Sequence, residues 1–191
     1  MTNEQRAEEA GRTVKEGIVN SLKGMNEIEG EIVRLVKDTV TNALSAAGSV
    51  STEGMTVTKD VVRGAIQAAE EVGTGLMTST KYVAKGIILG ISEVGGDIAG
   101  AASQITRSAV HGAAEVGADI GLVSRRATEG IIDATREIGG NAEETARLSI
   151  NGAIEAAGSI GKTAVKEVKE MLIGAVEGAK AVVEAVIPKS K

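Results

Sequence analysis

Residues 130–139 read GIIDATREIG, and segments of the same design occur at a fixed spacing before and after them. Five copies begin 22 residues apart: GAIQAAEEVG at 64–73, GIILGISEVG at 86–95, SAVHGAAEVG at 108–117, GIIDATREIG at 130–139 and GAIEAAGSIG at 152–161. Segments 42–51 and 174–183 keep the same phase and bring the count to seven. Internal repeats take priority over other sequence signals, so the fold must accommodate a 22-residue unit.

The positions that stay constant within each copy carry small or branched aliphatic side chains. The third and ninth residues are always Leu, Ile or Val, and the fifth is always Ala or Gly. Apolar residues recur in steps of three and four, which is typical of an amphipathic α-helix. Twenty-two residues close on six helical turns at about 3.67 residues per turn. The sequence therefore predicts an all-α fold.

The unbroken phase predicts very long amphipathic helices rich in Ala and Gly, as a continuous rod or as long helical hairpins in a bundle. Gly95-Gly96 and Gly139-Gly140 are the candidate turns for the hairpin form. Because loops do not need to preserve helical phase, we favour the long helices. The expected organisation is an N-terminal helical segment over 1–41 with one divergent copy, seven repeats over 42–187 and a tail over 188–191.

Small residues must provide much of the packing between helices. The apolar side chains are mainly those of Ala, Val, Ile and Leu, and Tyr82 is the single aromatic residue. Each glycine costs roughly 1 kcal/mol relative to Ala inside a helix, so the 25 glycines predict that neighbouring helices stabilise the chain. Pairs such as Gly86/Gly90 and Gly174/Gly178 have the spacing that lets two helices approach closely.

Charge and composition exclude several classes of partner. The net charge is −5 with acidic and basic residues interleaved, and no basic patch contains aromatic residues, so we expect no nucleic-acid partner. Cysteine is absent, which excludes disulfides and thiolate metal sites and fits a reducing compartment. The charged first residues contain no secretion signal, and no apolar stretch approaches the roughly 18 residues of a membrane span. We therefore expect a cytoplasmic protein.

Residues 156–163, AAGSIGKT, differ by one residue from the phosphate-binding motif G-x-x-x-x-G-K-[ST]. Ala156 and Gly161 are the small residues that the repeat places at positions 5 and 10 of every copy. A phosphate-binding loop also follows a buried strand, and the preceding residues do not have a strand pattern. We attribute this match to the repeat and expect neither a nucleotide nor another cofactor.

The remaining polar residues do not form a catalytic or metal-binding group. His111 occupies position 4, where other copies have Gln67, Asp133 or Glu155, so we interpret it as a solvated side chain. Glutamates at position 8 would lie roughly 33 Å apart along a continuous helix, too far to share a proton or a metal ion; they are Glu71, Glu93, Glu115 and Glu137. Four methionines are interpreted as packing residues: Met25, Met55, Met77 and Met171. We predict a protein that is not an enzyme and has no catalytic, cofactor, metal or small-molecule site.

The 22-residue period, the Gly/Ala/Val/Thr-rich apolar face and short segments such as STEGM (51–55), ATEGI (127–131) and VEGAK (176–180) resemble known proteins. They are similar to the lipid-surface helices of synucleins, perilipins and apolipoproteins, and more loosely to phasins on polymer granules. This resemblance extends over residues 42–187 and carries over no functional residue. It implies a coat protein whose apolar face lies on a membrane, a lipid droplet or a polymer granule.

The second interpretation is a structural protein that self-assembles into a rod, bundle or filament. Helices that bind anionic lipid carry Lys and Arg beside the apolar face, whereas the basic positions 18 and 22 lie opposite it, as at Lys81 and Lys85. Acidic positions 8 and 12 alternate with these basic positions along the helix axis. We therefore favour a homo-oligomer built through small-residue packing, with the lipid or polymer coat as the alternative.

Overall fold

The computed structural model describes residues 3–22, 28–47, 51–72 and 76–174. In these four ranges all regular secondary structure is helical, which confirms the all-α prediction. The helices are α1 Asn3–Leu22, α2 Ile28–Ala47, α3 Ser51–Val72, α4 Leu76–Glu93, α5 Ile98–Glu115, α6 Ile120–Glu137, α7 Ala142–Ile160 and α8 Lys162–Ile173.

The prediction of very long helices is wrong over the described residues, where the longest helix, α3, has 22 residues. Helices α5 and α6 each span 18 residues, and a four-residue turn follows each of them, at 116–119 and 138–141. The phase is kept because helix and turn together have a constant length. The turns that the hairpin alternative placed at Gly95-Gly96 and Gly139-Gly140 are confirmed, but its long helices are not, since the chain also turns at Gly117 and Gly161.

Three of these turns have the same hydrogen-bonded geometry, which explains the glycine at repeat position 10. Gly95, Gly117 and Gly139 have φ angles of +69°, +69° and +71°, a region that is costly for residues with a Cβ. At the end of α5, the Gly117 N–H donates to the Ala114 carbonyl and the Ala118 N–H to the Ala113 carbonyl. This pair of bonds is the Schellman motif, which satisfies the last carbonyls of a helix.

The residue two places after each of these glycines starts the next helix. The carboxylates of Asp97 and Asp119 accept hydrogen bonds from the N–H groups of Gly100 (2.9 Å) and Leu122 (2.8 Å). Asn141 does the same for the Glu144 N–H, at 3.0 Å. Asp97 and Asp119 occupy the acidic position 12 of the repeat, which was predicted to belong to an alternating charge pattern, and the structure shows instead that they are helix N-caps.

Loss of one of these caps should have a measurable effect on stability. We expect Asp119→Ala to lower the free energy of unfolding by about 1 kcal/mol, because the Leu122 N–H loses its acceptor. Asp119→Asn keeps a side-chain oxygen at the same place and should cost much less. Urea unfolding followed by circular dichroism will measure both variants, and an equal loss in both would contradict the capping role.

Each helix packs most extensively on a helix two places before or after it in the chain. Helices α1, α3, α5 and α7 form one layer of the stack, α2, α4, α6 and α8 form the other, and consecutive helices contact each other across the layers. The apolar faces of both layers enclose one continuous core. Its largest fully buried side chains include Ile18, Ile32, Leu44, Ile87, Ile88, Ile105, Ile131, Ile150 and Leu172.

Two predicted features need adjustment within this stack. The boundary between residues 41 and 42 falls inside α2, so it does not separate structural units. Met55, interpreted as a packing residue, is 50% exposed. Met25, residues 175–187 of the last repeat and the tail over 188–191 lie outside the described residues, as does the side chain of Met77.

Glycines inside the helices bring neighbouring backbones into close contact within the same chain. A Cβ at Gly86 would lie 2.8 Å from the Val33 carbonyl oxygen in α2, and a Cβ at Gly90 would lie 2.8 Å from that of Lys37. The same relation holds for α7 on α5, where a Cβ at Gly152 would lie 2.5 Å from the Ser103 carbonyl oxygen. The small residues therefore join helix n to helix n+2 of one molecule.

Candidate functional site

The segment that resembles a phosphate-binding loop connects two helices. Ala156 to Ile160 form the end of α7, Gly161 is the connecting residue, and α8 begins at Lys162. Ala156 is buried in the core, whereas Lys162 and Thr163 are exposed. The preceding element is a helix instead of the strand that positions a phosphate-binding loop, so the repeat accounts for this sequence.

The histidine and the position-8 glutamates lie on the surface and do not converge. His111 is exposed on α5, as expected for a solvated side chain. Glu93, Glu115 and Glu137 are exposed near the ends of three different helices, and the side chain of Glu71 is outside the described part of the chain. Among the side chains that the structure describes, no group of three or more His, Cys, Asp or Glu is arranged to hold a metal ion.

A series of ion pairs connects the helices of each layer. In the even-numbered layer, the Lys37 ammonium lies 3.0 Å from the Glu93 carboxylate, Lys81 lies 2.8 Å from Asp133 and Lys85 lies 2.6 Å from Glu137. In the odd-numbered layer, Arg107 and Glu155 are 2.5 Å apart. Acids at positions 4 and 8 thus meet bases at positions 18 and 22 of the helix two places earlier. These charged positions of the repeat therefore pair with one another within one chain.

Tyr82, the single aromatic residue, connects three helices of the even-numbered layer. Glu29 on α2 and Arg126 on α6 both lie close enough to influence the charge of its hydroxyl. Burial, followed by the interaction with the Glu29 carboxylate, raises the pKa of Tyr82 to about 12. The network positions the phenol group and keeps it neutral, and neither effect supplies an acid or a base near neutral pH.

Tyr82 can be titrated alone, because no other residue of the chain gives a phenolate signal. We expect its near-ultraviolet absorbance to change with a midpoint near pH 12 in the folded protein and near pH 10 in urea. Since the folded pKa is raised, the stability linked to this group is complete below about pH 10 and is lost as the pH rises through about 12. Glu29→Gln should lower the folded midpoint, and an unchanged midpoint would show that Glu29 does not raise the pKa of Tyr82.

Glu129 lies beside this network on α6 and binds two arginines. Arg125 Nε is 2.7 Å and Arg126 Nη1 is 2.9 Å from its carboxylate oxygens. Burial alone would raise the pKa of Glu129, but the hydrogen bonds from both guanidinium groups outweigh it and the pKa is lowered. The carboxylate therefore remains ionised and holds both arginines against the helix surface.

A second polar cluster is buried between α5, α6 and α7. The Thr106 hydroxyl donates to the Ser149 carbonyl at 2.8 Å, and the hydroxyls of Thr128 and Ser149 are 2.9 Å apart. No described histidine, lysine or carboxylate takes part in these bonds, so none of these hydroxyls is activated as a nucleophile. The cluster satisfies buried polar groups and fixes how the three helices pack.

Two open grooves lie between helices of the same layer. The groove between α1 and α3 has a volume of about 690 Å³, and its rim carries Glu8, Glu9 and Asp60 against Arg12, Lys15 and Arg63. The groove between α6 and α8 has a volume of about 630 Å³ and is lined by Gly117, Ala118, Asp119, Gly121, Arg125, Glu167, Glu170, Met171 and Gly174. Neither contains the predominantly apolar, enclosed surface that binds small molecules.

Comparison with known proteins supports the fold. No protein-family model matches the sequence, and no curated protein sequence matches it. Among solved structures, the chain is similar to the crystal structure of the de novo designed helical repeat protein DHR7, with a TM-score of 0.52. The two share 18% sequence identity, and the alignment covers 96% of this chain and 94% of that one. At this identity, the likeness shows a helical-repeat fold alone.

In the described part of the chain, no helix combines the length and the hydropathy needed to cross a bilayer.

Proposed function

We propose that the chain is a non-enzymatic structural protein, a helical-repeat scaffold with one helix and one turn in each 22-residue unit. One observation supports this proposal: the recurring positions have architectural roles. Position 1 or 5 holds a glycine at a helix contact, as in Gly86 and Gly90. Position 10 holds a turn glycine and position 12 an N-cap, as in Gly117 and Asp119. A repeat whose constant residues build the stack is typical of a scaffold.

We further propose that copies associate through the ends of the stack, because the small-residue contacts are used within the chain. In the described part of the chain, α1 and α2 each contact one helix of their own layer, whereas α3 to α6 each contact two. The exposed charged side chains of α1 and α2 are mainly acidic: Glu8, Glu9, Glu16, Glu29, Glu31 and Asp38 against Arg12 and Arg34. Contacts through exposed charges are individually weak, about 0 to 1 kcal/mol each.

End-to-end association should depend on protein concentration and on salt. We expect sedimentation velocity to show species heavier than the 19.4 kDa chain that dissociate on dilution. High salt should shift the population toward the monomer, because screening weakens exposed charge pairs. A monomer mass at every concentration, with unchanged helicity, would contradict self-assembly and leave a monomeric scaffold.

The alternative proposal, a coat on a lipid or polymer surface, rests on the amphipathic helices and on the resemblance to lipid-surface proteins. It requires the helices to separate, since the same apolar faces form the core. Negative-stain microscopy and flotation with anionic vesicles will test it. Co-flotation together with loss of the Lys81–Asp133 contact, detected as faster hydrogen exchange in α4 and α6, would favour the coat over the scaffold.

A further inference from the structure

Close backbone contacts between neighbouring helices of a layer recur at the first residue of the repeat. A Cβ at Gly130 would collide with the Lys81 carbonyl oxygen of α4, and a Cβ at Gly152 would lie 2.5 Å from the Ser103 carbonyl oxygen of α5. Each of these glycines follows the residue that bears the carbonyl by 49 positions. In α5 the first residue of the repeat is Ser108. The α3–α5 contact therefore has a Cβ where the α4–α6 and α5–α7 contacts have none.

Helix α5 nevertheless lies on α3 in the same register. Gly112 faces Ile66, which precedes it by 46 residues, and Ala84 precedes Gly130 by the same number in the α4–α6 contact. The three atoms nearest to a Cβ at Gly112 all belong to the Ile66 side chain, whereas a Cβ at Gly130 would meet a backbone carbonyl. A side chain therefore fills the space between α3 and α5 where two backbones meet between α4 and α6.

Packing is less complete where α5 lies on α3. Helix α3 packs less extensively on α5 than on α1, and α5 packs less extensively on α3 than on α7. A cavity of about 10 Å³ lies between α3, α4 and α5, and its lining includes Val62, Ile66, Val83 and Ile105. Because the lining is mainly apolar, the cavity stays dry. These side chains therefore lack part of the dispersion attraction that close packing supplies.

The even-numbered layer is closely packed beside this point. Gly86 and Gly130 place a close backbone contact on each side of α4, toward α2 and toward α6. Ion pairs reinforce both of these contacts. In the odd-numbered layer, Arg63 of α3 pairs with Asp60 of its own helix instead, at 3.9 Å. Helix α4 therefore joins the parts of the stack that meet at the α3–α5 contact.

We propose that the α3–α5 contact is a hinge, at which the odd-numbered layer opens while α4 holds the two parts of the stack together. The Ser108 Cβ excludes the close backbone approach that Gly130 and Gly152 allow in the other contacts. Opening changes the angle between the helices before α4 and those after it, and it uncovers the apolar side chains of the cavity. The hinge is a property of the single chain and does not depend on self-assembly.

Distance distributions between spin labels test the hinge in the full chain, which has no cysteine of its own. Gln67→Cys, His111→Cys and Glu155→Cys place labels at exposed positions of α3, α5 and α7, each in position 4 of its repeat. We expect the 67–111 distribution to be broader than the 111–155 distribution by about 2 Å, the range over which packed helices differ in separation. Labelling residue 155 removes its ion pair with Arg107, which can only widen the control distribution. Equal widths would overturn the proposal.

Substitution of Ser108 tests whether its Cβ keeps the helices apart. Ser108→Gly should shorten the mean 67–111 distance by about 2 Å and narrow its distribution, because the backbones can then approach. Ser108→Ala is the matched control: it removes the hydroxyl that accepts a 3.0 Å hydrogen bond from Gln104 but keeps the Cβ, so the distance should stay at the wild-type value. Equal distances in both variants would overturn the role of the Cβ.

The reciprocal substitution transfers the serine to the next contact of the same layer. Gly152→Ser gives α7 the residue that α5 has in the first position of the repeat, and its Cβ would lie 2.5 Å from the Ser103 carbonyl oxygen. We expect the 111–155 distribution to broaden toward that of the 67–111 pair. An unchanged distribution in the folded variant would show that a Cβ in this position does not create a hinge.

Discussion

Replacement of Gly152 by leucine is expected to lower the free energy of unfolding by about 3 kcal/mol. The new Cβ would lie 2.5 Å from the Ser103 carbonyl oxygen and 2.8 Å from the hydroxyls of Ser103 and Thr106. The Thr106 hydroxyl is held by its bond to the Ser149 carbonyl, so α5 and α7 can separate only by breaking buried contacts. For a chain of this size the loss corresponds to roughly 6–12 °C in Tm.

The same substitution at Gly158, six residues further along α7, provides the matched control. No atom lies within 4 Å of a Cβ placed there, so leucine should improve helix propensity and stabilise the protein by about 0.5–1 kcal/mol. Urea unfolding followed by circular dichroism gives both values. If the small residues served contacts between molecules instead, both variants would stabilise the monomer and Gly152→Leu would lower only the assembled mass.

Deletion of residues 96–139, two complete repeats, is expected to leave a shorter protein that still folds. The deletion joins Gly95 to Gly140 and Asn141, which restores a glycine turn followed by an N-cap. Helix α7 then follows α4 and takes the place of α5 on α3, where Arg63 stands 44 residues before Arg107 and can face Glu155. Helicity per residue should remain unchanged, because each helix keeps the type of neighbour it had.

A deletion of one and a half repeats, residues 96–128, is the control for this experiment. It joins Gly95 to Glu129 in the second half of α6, so the connection loses its N-cap and the remaining half-helix loses its contacts with α4. We expect this variant to lose helicity and cooperative unfolding. If the 44-residue deletion lost as much helicity and cooperativity as this control, stability would depend on contacts between helices more than two places apart.

The helical periodicity could be predicted from the sequence, but the turns that interrupt the helices were harder to recognise. A glycine in the tenth position can serve a helix contact or a turn, and composition alone does not distinguish the two. The signal that does so is the residue two places later, because Asp97, Asp119 and Asn141 are all preferred N-cap types. Continuous phase also misled the prediction, since a turn of constant length preserves it as well as a helix does.

The ion pairs show a different limit of sequence reasoning. Positions 8, 18 and 22 were identified as charged, but the residue that each one meets depends on how far one helix is displaced along another. That displacement is set by close contacts such as Gly86 on Val33 and Gly130 on Lys81. The surroundings of Tyr82 could not be predicted either, because Glu29 and Arg126 are distant in sequence and approach it only when the helices of the layer are stacked.

Because each helix n packs on helix n+2, the contacts of this protein join residues that are close in sequence. Every extensive contact in the described chain joins helices that are at most two places apart, so loop closure costs little entropy and contact order is low. Such a chain can begin to fold at any pair of neighbouring helices and lengthen from there. We expect its opening to be equally local, because each described helix depends only on helices one or two places away.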